Sequence, residues 1–150
     1  MRVLHVSHAW GEGGSGLYAD ALVNECARQG IPSERFGPAD VPDTHARGFT
    51  ASFANSATES AFTARLRGVN VVHVHHLSGL SMAIPALARA AGAAVVVTLH
   101  DYWLRCARGQ LVNLDDTRCP GPSQRRCGGC LAPHLWAPLP PQLARRLPPR

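Results

Sequence analysis

Apolar positions along the chain alternate between strand-like runs and helical spacing. Arg2 to Ser7 (RVLHVS) is a short β-branched run that predicts a strand, and a glycine-rich stretch follows from Gly11 to Gly16. Leu17, Ala21, Leu22 and Cys26 then recur at helical spacing, with Asp20, Asn24 and Arg28 on the other side. Gly30 and Pro32 stand where such a helix stops. Ser33 to Phe36 predicts a weak strand, and Pro38 to Thr50 a loop. Asn55 to Arg67 predicts a helix presenting Ala57, Ala61, Phe62 and Leu66 on one face. Val69 to His75 (VNVVHVH) has little alternation and predicts a strand buried on both faces. Ser78 to Ala91 predicts a small-residue helix closed by Gly92, and Ala93 to Leu99 (AAVVVTL) a further buried strand.

Strands alternating with helices form βαβ units, whose right-handed crossovers make a parallel sheet with helices on both faces. The expected fold is therefore α/β and Rossmann-like. After His100 the pattern breaks. Residues 101–131 predict an irregular Cys-rich segment attached to the same domain, so that residues 1–131 form one unit. Residues 132–150 read as a Pro/Arg-rich tail, with six of the chain's twelve prolines and one short helix around Gln142 to Leu147.

Composition narrows the class. At 150 residues, 45% hydrophobic and 17% charged, the chain can bury a core and is not built like a disordered one. Its net charge of +5 comes entirely from Arg, since there is no Lys, and the acids are interspersed. That pattern reads as a solvated, mildly basic surface and not as a specific nucleic-acid site. His5 and His8 interrupt the apolar start, which makes it a poor signal peptide. Pro85 and Arg89 break Ala83 to Leu99 as a membrane span. The expectation is a cytoplasmic protein with at most peripheral membrane contact. Five Cys in a reducing compartment then point to thiols or metal ligands before disulfides.

In an open parallel sheet, ligands bind outside the carboxyl ends of the strands. Three clusters fall at such ends: the glycine loop, His75-His76, and His100-Asp101. The loop satisfies G-x-G-x-x-G through Gly11, Gly13 and Gly16, and amides at a helix start suit a phosphate. A dinucleotide site would want the first glycine directly after the strand, whereas His8, Ala9 and Trp10 intervene. Glu34, the candidate ribose-binding acid, is followed at once by Arg35. His75 and His76 either face a ligand or merely close a strand. His100 either donates to a sugar hydroxyl and shuttles a proton, or is held by Asp101 for loop structure. Cys106, Cys119, Cys127 and Cys130, spaced C-x12-C-x7-C-x2-C, are candidate ligands of a structural zinc ion, with reduced thiols or a redox pair as alternatives. Cys26 reads as a core residue.

Taken in order, these motifs resemble the N-terminal half of family-4 glycosyltransferases of the GT-B type. The matching stretches are Arg2 to Val6 running into Gly13-Gly14-Ser15-Gly16-Leu17-Tyr18, then Val71 to His76, then Thr98-Leu99-His100-Asp101-Tyr102-Trp103. Arg108-Gly109-Gln110-Leu111 and the Cys-rich segment are similar to a subgroup of that family, and the resemblance covers residues 1–131. It implies one Rossmann-like lobe of a retaining enzyme that moves a sugar from a nucleotide-sugar donor to a sugar or lipid-linked acceptor, with no cofactor required for catalysis. It also implies that His100 lies against the transferred sugar as the catalytic residue. Gly13, Gly14 and Gly16 would approach donor phosphates or acceptor, and His75 and His76 would wall the acceptor side. Asp101 and Trp103, in the same stretch, join the substrate-binding candidates.

One departure is large. The family contacts its donor through an E-x7-E motif in a C-terminal lobe, and no Glu here has another Glu eight positions later. A smaller one is Ala107, where the subgroup commonly has Pro. The chain is therefore expected to be a truncated or split enzyme half that needs a separate C-terminal lobe for turnover. Two alternatives stay open: a dinucleotide-binding Rossmann domain, and a non-catalytic binding module stapled by zinc. A hydrolase finds no support, because no G-x-S-x-G elbow occurs.

Overall fold

The computed structural model describes residues 1–41, 55–106 and 108–136, with side chains as far as residue 131. The chain divides after His100 into one compact unit, Met1–His100, and a second that begins at Asp101. The first unit runs β1 (Val3–Val6), α1 (Gly13–Arg28), β2 (Ser33–Phe36), a 3-10 turn (Pro38–Asp40), α2 (Ser56–Arg65), β3 (Val71–Val74), α3 (Ile84–Ala90) and β4 (Ala94–Val97). All four strands are parallel, in the order β2-β1-β3-β4. The α/β parallel-sheet expectation holds.

Register sorts the sheet into two unlike faces. Pairing sets Val6 beside Phe36 and Val74, and His5 beside Arg35 and His73. Side chains alternate between faces along a strand. Leu4, Val6, Phe36, Val72 and Val74 therefore share one face, and all are fully buried. Phe62 of α2 packs edge-on against Phe36, with ring centroids 5.3 Å apart. Burying each such ring contributes on the order of 1.5–3 kcal/mol. Leu66, Leu77, Leu80, Ile84 and Ala88 complete this core, and α3 touches both α2 and the β3–β4 pair. The opposite face carries His5, Arg35 and His73. Helix α1 covers it: Asp20 pairs with Arg35 at 2.5 Å, and the Tyr18 ring lies edge-on to His75 at 6.0 Å.

Several expectations need correction. β3 is not apolar on both faces. It alternates, with Val72 and Val74 buried and Val71 and His73 half-buried, because its second face looks toward imidazoles and α1. β4 is not buried either. It is an edge strand, and Val96 and Val97 remain 46% and 45% exposed. Helix α1 turns a different stripe inward from the expected one: Gly16 and Ala19 are buried, whereas Leu17 and Ala21 are exposed. Small residues let the helix lie close to the sheet, and a Cβ at Gly16 would stand 3.1 Å from the Ala9 carbonyl oxygen. Cys26, expected in the core, is half-buried. The helix expected from Ser78 begins only at Ile84, because Gly79 takes φ of 71° and Pro85 suits a first turn. Helix α2 matches its expected span closely, with Asn55 as N-cap accepting from the Thr58 amide at 3.1 Å.

In the second unit the segment expected to be irregular ends in a helix, α4 (Gln124–Trp136). Before it lie turns and one isolated antiparallel bridge, Val112 to Arg118. Most of the Pro38–Thr50 loop and the helix expected at Gln142 to Leu147 fall outside the described residues. Among the described residues, no helix is long and apolar enough to cross a membrane.

Candidate functional site

The chain leaves β1 toward β2 on one side and reaches β3 on the other, so the strand order reverses between β1 and β3. That reversal opens a crevice at the carboxyl ends of those strands, the place where open α/β sheets bind ligands. The glycine loop and His75 both border it.

The glycines there do different work. Gly13 starts α1 with φ of 60°, a conformation that side chains resist. Gly16 is needed for the approach to Ala9. Gly14 is exposed and faces open space, with nothing within 4 Å of where a Cβ would stand. No side chain caps the helix at Glu12, and its first turn holds no acid. The first amides of α1 thus have no side-chain cap, and the acid nearest them is the exposed Glu12 at the N-cap itself.

Imidazoles line the rest. His75 is fully buried, and its Nδ1 lies 3.3 Å from Nε2 of half-buried His100. On its other side, Nε2 of His75 lies 3.2 Å from Nδ1 of His5. His73 sets its Nε2 2.7 Å from the Thr98 hydroxyl and stacks on His75 at 4.2 Å. The Tyr18 ring closes over the outer end, 5.0 Å from His100. Burial pushes His5 down to about 4, with His73 and Arg35 adding to the shift. Burial likewise pushes His75 down to about 3, helped by His73, His5 and His100. His73 is lowered by burial first and His100 second. These three rings are therefore neutral near pH 7 and present lone pairs.

His76 has a structural part. It is buried, its Nδ1 accepts from the Ser78 amide at 3.1 Å, and its ring meets His8 at 4.1 Å. Asp101 and Trp103 belong to the second unit, where the Asp101 carboxylate accepts from the Trp103 amide at 2.8 Å and packs under Gly109. Of the candidates, the first unit thus brings together His75, His100 and the glycine-bearing start of α1. In the sequence Tyr18 stands out only as part of a stretch that resembles the family, and His5 and His73 do not stand out as site residues at all. Their signal was the repeat of His at alternate positions 73 and 75, beside a third His in a neighbouring strand.

The cysteines are not gathered. Among the described residues, the one group whose ligand atoms all lie within 4.8 Å, and could hold a metal ion, is His5, His73 and His75. Cys127 and Cys130 ride on α4, Cys119 donates to the Gly121 carbonyl at 3.5 Å, and Cys106 sits in a turn. Cys106, Cys119, Cys127 and Cys130 are all free thiols. The second unit also bears an open hollow of about 740 Å³ lined by Tyr102, Arg105, Gln110, Arg118 and Cys119 among others.

Glu34, the acid a dinucleotide ribose would need, is committed elsewhere. It lies mid-strand beside Leu4 and pairs with both Arg2 and Arg65. No protein-family model, curated protein or solved structure matches the chain.

Proposed function

We propose that the chain is the acceptor-side lobe of a retaining glycosyltransferase of the GT-B type. The observation that carries this reading is the meeting of Tyr18, His75 and His100 at the carboxyl edge, on the side where α1 starts with the open Gly14. Sugar transfer needs hydrogen-bonding groups for hydroxyls and a place for the negative charge of a departing nucleoside diphosphate. His100 supplies the first: its ring is half-buried, backed by His75 and free enough at the rim to meet a sugar hydroxyl. The amides at the start of α1 supply the second. Tyr18 offers an aromatic face of the kind on which pyranose rings stack. In this reading catalysis needs no metal, and a donor-binding lobe carrying paired acids completes the enzyme. The commitment of Glu34 to two arginines weighs against the dinucleotide alternative.

Saturation-transfer NMR on the purified chain with a panel of oligosaccharides tests this. Binding of an oligosaccharide that His100→Ala weakens at least tenfold is expected. Binding of NAD in preference to any saccharide, or saccharide binding indifferent to His100→Ala, would overturn it.

A further inference from the structure

Three imidazoles packed inside a sheet call for an explanation that sugar transfer does not supply. His5 and His73 are Cα partners on adjacent strands, and His75 follows His73 by two residues, so all three emerge on one face. One ring nitrogen from each lies within 4.8 Å of the others. His5 is 1% exposed, so its ring is held inside the layer and not at the solvent. The facing nitrogens of His5 and His75, 3.2 Å apart, are spaced almost as two ligands on one tetrahedral ion would be, about 3.3 Å for bonds of about 2.0–2.1 Å.

We infer that His5, His73 and His75 form a binding site for a first-row divalent cation of the zinc class. Neutral imidazole is a borderline-soft ligand that suits Zn²⁺, Ni²⁺ and Co²⁺ and discriminates against Mg²⁺ and Ca²⁺. Neighbouring strands fix His5 and His73, so the ligand set is largely built before the ion arrives. With Nε2 of His75 on the ion, its Nδ1 keeps a proton and donates toward Nε2 of His100, 3.3 Å away. The ion thereby fixes the orientation of His75 and the tautomer of His100. Three protein ligands leave a fourth position for water or a rim group. The site stands whether or not the chain serves sugar transfer, because it rests only on the strand register and the imidazole spacing.

Cobalt is the probe, because its visible spectrum distinguishes imidazole from thiolate ligands. Chelator-treated chain is expected to take up one equivalent of Co²⁺ with visible d–d bands and without the strong near-ultraviolet sulfur-to-metal band. Zn²⁺ should displace it. The combined variant His5→Gln, His73→Asn is expected to lose stoichiometric binding while keeping its far-ultraviolet circular dichroism. A variant with Ser at Cys106, Cys119, Cys127 and Cys130 is expected to keep it. Absence of stoichiometric uptake by the unaltered chain would overturn the inference. So would a sulfur-to-metal band that vanishes in the Ser variant, or undiminished binding by the folded His variant. Should the His variant fail to fold, the spectrum of the unaltered chain and the Ser variant still decide.

Discussion

Single residues show where close contact governs this molecule. A Cβ at Gly37 would stand 2.7 Å from Nε1 of Trp10 and 2.9 Å from the Ser7 carbonyl oxygen, while Arg35 sits over the Trp10 ring at 5.3 Å. The segment after β1 is thus locked onto the end of β2 by an indole that fits only against a bare Cα. Gly37→Ala is expected to destabilise the fold by about 1–3 kcal/mol, the usual cost of overpacking, as read from denaturant midpoints. An unchanged midpoint would mean that Trp10 moves freely. Cys106 is a second such residue. Burial pushes its thiol up, but amides of Leu111, Arg108, Gln110 and Gly109 outweigh this and hold it below the ordinary value. Thiolate is the reactive form, so iodoacetamide at pH 7.5 should show a fast phase that Cys106→Ser removes. A fast phase surviving that substitution would contradict the assignment.

Among the elements, sequence periodicity was most telling where one face is plainly apolar. Helix α2 and strand β2 stand where expected, because Asn55 caps and Phe36 and Phe62 pack. Asn55→Ala is expected to cost about 1 kcal/mol in thermal or denaturant unfolding. Periodicity misled where the partner of a face decides its burial. Val96 and Val97 carry the composition of a central strand, yet β4 is at the edge, a property of topology and not of local sequence. Helix α1 misled differently: Gly16, one of the glycines of the phosphate-binding signal, forms its packing face with Ala19, so Leu17 is turned out to 59% exposure. The site was legible to the same degree. Strand ends could be located from the sequence, which placed His75 and His100 together. The register that joins His5 to His73 could not be read, because it depends on which strands become neighbours. The C-x-x-C spacing marked Cys127 and Cys130 as a pair, but not that both stand on a helix, α4.

At the scale of the whole molecule, the sheet is a two-sided layer with aromatic and aliphatic residues on one face and imidazoles on the other. The second face makes stability depend on pH. His5 and His75 titrate near 6.5 when unfolded but are pushed to about 4 and about 3 in the fold. The unfolded chain therefore binds more protons between those values. Their contribution is fully present above about pH 6.5 and is lost as pH falls toward 4, by up to about 1.4 kcal/mol per pH unit for each ring. Metal-stripped protein should melt at lower temperature at pH 5 than at pH 7.5, and His5→Gln should flatten that dependence. A melting temperature constant across this range would contradict the burial of neutral imidazoles.

The account turns on one edge of the sheet acting as a single recognition surface. Backbone amide shifts in a ¹⁵N-labelled chain, followed during titration with the best-binding oligosaccharide, test this most directly. Gly14, Tyr18, His75 and His100 are predicted to shift together along one saturation curve. Shifts confined to other strands or to the second unit, with those four signals unmoved at saturation, would contradict it.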